Sequence, residues 1–70
     1  MITLRQLRKD RRLRQVDVAR QIGVTSPALS QYEAGKRRLP IAHARPLAEA
    51  LGCSIDEVVA AAEASARADQ

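Results

Sequence analysis

Ser26, Ser30 and Gln31 carry the most pointed chemistry in this chain of 70 residues. On a helix, side chains three and four positions apart are neighbours, so Ser26, Ser30 and Gln31 share a polar face while Ala28, Leu29 and Tyr32 turn to the other side. Gln31 alone among them has a side-chain amide, which can pair two-pronged with N6 and N7 of an adenine. Serine hydroxyls bond to several bases or to phosphate and discriminate weakly. A helix face of short polar groups, followed closely by Lys36, Arg37 and Arg38, suits a polyanion. The expectation is that it enters the major groove of DNA.

The charge distribution supports one-sided binding. Residues 1–46 hold eleven Lys or Arg against Asp10, Asp17 and Glu33, a balance of +8, whereas residues 47–70 hold Arg67 against five acids, a balance of −4. A basic front with an acidic back favours a polyanion on one face over general cationic stickiness. RNA is the weaker candidate, because stacking platforms are absent and Tyr32, the sole aromatic residue, is committed to the core.

Five helices are expected to position these groups. Thr3 caps the first, which runs to about Arg11 with Leu4 and Leu7 on one face. Gln15 opens the second; Asp17 suits the positive end of its dipole, Val18, Ala19 and Ile22 share one face, and Gly23 ends it. Thr25 caps the third, Pro27 is tolerated in its first turn, and Gly35 stops it. The link from Gly23 to Thr25 is short enough to force a steep crossing, as in a helix-turn-helix over about residues 15–33. The fourth, about Ile41 to Leu51, contains Pro46, which is expected to kink or divide it. Ser54 and Glu57 have capping-box spacing for the last, with Ile55, Val58 and Val59 buried. After Ala62 the apolar face is lost, so residues 1–62 form the domain and residues 63–70 a tail that frays or prolongs the helix.

Other chemistries find little support. Cys53 is the only cysteine, so no internal disulfide is available, and it reads as a small hydrophobe beside Gly52. His43 has no second ligand nearby and reads as a surface helix residue. There is no set of nucleophile, base and orienter and no glycine-rich phosphate loop, so neither catalysis, a metal nor a cofactor is expected. The N-terminus has no apolar run of signal-peptide length and no stretch approaches the about 20 residues of a membrane span. A cytoplasmic location without membrane association is the expectation.

The spacing of residues 4–59 resembles the lambda-repressor-like helix-turn-helix domain of the phage repressor/Cro and Xre family. The residues that carry the resemblance are Leu4, Leu7 and Arg8; Leu13, Gln15, Val18 and Ala19; Ile22 to Thr25; Leu29, Ser30, Tyr32, Glu33 and Gly35 to Arg37; and Leu47, Ala48, Ala50 to Gly52, Ser54, Asp56 and Glu57. Two positions depart from that pattern. Arg14 stands where a small capping residue is usual, and Pro46 is unusual within the fourth helix.

The resemblance implies an all-α, compact five-helix fold and a set of roles. Ser26, Pro27, Ser30 and Gln31 would occupy the base-facing positions, with Gln31 the main reader, Ser26 second and Pro27 limited to apolar contact such as a thymine methyl. DNA shape would supply much of the remaining specificity. Gln15, Thr25, Lys36, Arg37 and Arg38 would contact phosphates, with Arg11, Arg12 and Arg14 as weaker candidates on the opposite flank. Arg8 and Glu33 would form a structural ion pair. The implied function is a sequence-specific transcriptional regulator of double-stranded DNA, most simply a repressor binding a palindromic operator as a homodimer. Ile55, Val58 and Val59 are the candidate dimer contacts. The alternative is an antitoxin that neutralises a toxin partner and binds its own promoter. A protein partner, toxin or co-regulator, would then dock on the acidic back face and the tail from Ala60.

Overall fold

Thr3 stands in extended backbone and its hydroxyl accepts from the Gln6 amide, which starts α1 (Leu4–Asp10). The computed structural model describes residues 2–68. Within them the chain continues as α2 (Gln15–Ile22), α3 (Ser26–Glu33), α4 (Ile41–Leu51) and α5 (Ile55–Ala68). The described residues are therefore all-α, the fold class anticipated from the sequence.

The turn after α1 places Arg12 in the left-handed region at φ 55°. There its amide donates to Lys9 and the Leu13 amide to Arg8, so Arg12 fills a place that glycine usually takes after a helix. Glycine does take it after α2 and α4, where Gly23 and Gly52 cap at φ 77° and 70°. The Ser54–Glu57 capping box forms in both directions: Glu57 donates its amide to Ser54 Oγ at 3.1 Å, and the Ser54 amide donates to Glu57 Oε1 at 3.2 Å.

The core is built from Leu4 and Leu7, Val18 and Ile22, Leu29 and Tyr32, Leu47 and Leu51, and Val58 and Ala61, all buried. With two of these residues on each helix, every short helix is anchored by apolar burial, worth about 1.5–3 kcal/mol for each large side chain.

Three expectations need correction. α4 is not divided at Pro46, which leaves a kink as the other outcome expected there. The proline lacks the amide that the Ala42 carbonyl would accept, but Ala42 is exposed, so water can take that bond. Second, Ile55 and Val59 are not buried; they are 39% and 44% exposed, whereas Val58 is fully enclosed. Third, the apolar face does not stop at Ala62. Ala64 and Ser65 are buried at 4% and 1% exposure, and α5 stays helical to Ala68. Residues 69 and 70 of the expected tail lie outside the described residues.

Candidate nucleic-acid interface

The reading helix is set by its first turn. Thr25 is extended, its Oγ1 accepts from the Ala28 amide at 3.2 Å, and Pro27 stands where its missing amide has no intrahelical partner to lose. With the backbone phase fixed, α3 buries Leu29, Tyr32 and Glu33 and exposes Pro27, Ser30 and Gln31, while Ser26 is half-buried. The four sequence-predicted base readers thus lie on the accessible side of one helix. Ser26, partly covered, is the least available of them.

Glu33 is the only acid on α3, and it is kept off that accessible side. Arg8 holds it through two bonds, Nε to Oε2 at 2.6 Å and a terminal guanidinium nitrogen to Oε1 at 3.2 Å. The other guanidinium nitrogen donates to the Leu13 carbonyl at 2.8 Å, tying the α1–α2 turn to the same group. Gln15 Nε2 adds a bond to Glu33 Oε1 at 3.1 Å. Three elements therefore converge on one carboxylate with side-chain exposures of 11% for Arg8 and 4% for Glu33. The bidentate geometry fixes the orientation of α3 as well as neutralising its acid.

Beyond α3 the chain reverses at Gly35, φ 75°. The Lys36 and Arg37 amides then both donate to the Gln31 carbonyl, at 3.0 and 3.3 Å. The basic loop is thereby fastened to the backbone of the residue expected to read bases. Lys36, Arg37 and Arg38 are all exposed. Arg37 is the most constrained, its guanidinium carbon 5.8 Å from the Tyr32 ring centroid, a cation–π contact. His43 is half-buried, not a surface residue as expected, and its ring lies 6.4 Å from that of Tyr32.

The second flank is arranged differently. Arg14 caps α2 through its backbone alone and turns its side chain to Asp17, with Nε 2.8 Å from Oδ2. That hydrogen bond, from a fully exposed guanidinium, holds the Asp17 carboxyl below its ordinary range. Arg14 is thus already engaged by an acid, in contrast to the loop cations. Sequence reasoning gave Arg5 no role, yet it lines a cleft of about 60 Å³ with Ser30, Glu33 and Ala34. Only the packing of α1 on α3 brings it there, and no local spacing signals that approach.

Among the dimer candidates, Val58 is enclosed in the chain's own core and can present nothing to a partner; Ile55 and Val59 retain exposed surface. Cys53 is half-buried against the core, and burial pushes its thiol up. Among the described residues, no group of three or more His, Cys, Asp or Glu could hold a metal ion. No helix among them is long and apolar enough to cross a membrane.

A helix-turn-helix family model matches residues 4–58, which includes every element built above except the last turns of α5. The chain belongs to that family, in its lambda-repressor-like, Xre/Cro form. It is a DNA-binding transcriptional regulator. A search of curated proteins returned no match.

Proposed function

We propose that the protein is a sequence-specific repressor that docks α3 in the major groove of a palindromic operator, as a homodimer. One observation carries this reading. The exposed side of α3 holds Pro27, Ser30 and Gln31 with no acid among them, because Glu33 is withdrawn into the Arg8 pair. A carboxylate on that face would repel phosphate; a neutral polar face edged by Lys36, Arg37 and Arg38 admits it.

In this reading Gln31 supplies the main base contact and Ser26 and Ser30 assist. Pro27 touches a thymine methyl. Gln15, Thr25 and the loop cations hold phosphates, and Arg14 contributes only by releasing Asp17. One α3 contacts too few base pairs for useful specificity, so two half-sites about one helical turn apart are needed. Ile55 and Val59, exposed on α5, are the contacts between protomers.

The test is selection of bound sites from random double-stranded DNA, with sedimentation of the recovered complex. The expected result is an inverted repeat with half-site centres about 10 base pairs apart and two chains per duplex. A recovered motif without two-fold symmetry, bound by one chain, overturns the dimeric reading.

A further inference from the structure

We propose that Ser65, beyond the family match and outside the reading helix, is a positioning residue for DNA binding that holds the basic loop in register with α3. Two observations meet at this residue. First, Ser65 is 1% exposed, and its hydroxyl accepts from the Leu4 amide at 3.0 Å while donating to the Ala61 carbonyl at 3.0 Å. Leu4 opens α1, so its amide has no partner within that helix. Ser65 satisfies it across 61 residues of sequence and pins the last turns of α5 to the start of α1.

Second, the backbone of the same turn is the wall behind Gly35. A Cβ at Gly35 would fall 2.5 Å from the Ser65 carbonyl carbon and 2.8 Å from Ala66 Cα, and nearer still to the Ser65 carbonyl oxygen. Gly35 is where the chain leaves α3 for Lys36, Arg37 and Arg38. Its positive φ and this backbone approach both require the absent side chain.

The loop is therefore held from two sides. The Lys36 and Arg37 amides are tied to the Gln31 carbonyl, and the turn before them rests on α5 at Ser65 and Ala66. If the last turns of α5 loosen, the reversal at Gly35 loses its backing and the three loop cations lose their fixed offset from Gln31. Base contacts come from α3 and phosphate contacts from the loop, so that offset decides whether both are made at once.

This inference rests on the phosphate role of the loop proposed above. Its test compares the native chain with full-length Ser65→Ala on the selected site, at a temperature where circular dichroism shows both folded. Ser65→Ala is expected to weaken binding about tenfold. The log–log salt slope is expected to shrink by about 1–2, the equivalent of one or two phosphate contacts. Ile22→Val, a core change remote from this contact, should leave the slope of the folded protein unchanged. A native slope in folded Ser65→Ala overturns the proposal. A flat slope in the native chain instead overturns the phosphate role of the loop. Amide exchange in the native protein gives an arm that needs no variant. The Lys36 and Arg37 amides should open together with those of residues 64–68. Loop amides that exchange freely while the end of α5 stays protected also overturn it.

Discussion

Gln31 and Arg8 approach the two sides of α3, one exposed and one buried, and their substitutions should fail in different ways. Gln31 is exposed, so Gln31→Ala should fold as the native chain does. It should cost about 1–3 kcal/mol at one base pair per half-site, measured as the loss of discrimination when that pair is changed. Equal weakening on every sequence would show that Gln31 does not read a base. Arg8→Ala should instead cost about 3 kcal/mol of folding stability, because it leaves the Glu33 carboxylate enclosed with only Gln15 as partner. The double replacement Arg8→Met with Glu33→Leu should recover most of that loss, since an apolar pair needs no compensating charge. Urea unfolding of the three variants checks this. A double variant as weak as the single one would mean that packing, and the Arg8 bond to the Leu13 carbonyl, outweigh the stranded charge.

At the scale of elements, what was legible in the sequence is what short spacing encodes. Thr25 and Pro27 announce the start of α3, Gly23 the end of α2, and Ser54 with Glu57 the start of α5, because caps act within four residues. The misreadings lie where the deciding contact is distant. Residues 63–68 look polar and without an apolar face, yet Ala64 is small enough to pack closely and the polarity of Ser65 is satisfied by the Leu4 amide, so of fraying and a prolonged helix the second occurs. Ile55, Val58 and Val59 look like one apolar set, but only the packing of α5 on α1, α3 and α4 decides which of them is enclosed. Arg5 beside Ser30 had no local signal at all. At Pro46 it is only the division of α4 that its surroundings overrule: Ala44, Leu47, Ala48 and Leu51 bury the helix on both sides of it. That packing sustains α4 against a backbone defect, so removing the defect should release stability. Pro46→Ala is expected to raise stability by about 1–3 kcal/mol, less than a full interior proline penalty because the half-buried ring gives up its own contacts. An unchanged or lower thermal midpoint would show that the ring packs as favourably as the restored bond.

Taken whole, the molecule separates its charges along the sequence, and this gives a measurement that reports docking and stoichiometry together. The cations lie within residues 1–46 apart from Arg67, and α5 carries Asp56, Glu57 and Glu63, all exposed. Binding should thus be driven by counterion release at the basic loop; Glu63 of α5 lines one cleft with Arg37 and Arg38, so α5 is not wholly turned from that side. Each phosphate neutralised contributes about −0.9 to the slope of log affinity against log salt. If Lys36, Arg37 and Arg38 each take one phosphate, a single chain on DNA should give a slope of about −3 and a two-fold pair about −5. Arg14 should add little, because its guanidinium must first leave Asp17. Titration of the selected operator between about 50 and 200 mM salt distinguishes these values. A slope near −5 that falls to about −3 on an isolated half-site would place the loop cations of both protomers on the backbone. A slope near −3 on both would mean that one chain binds alone, and Ile55 and Val59 would then have no role in assembly on DNA.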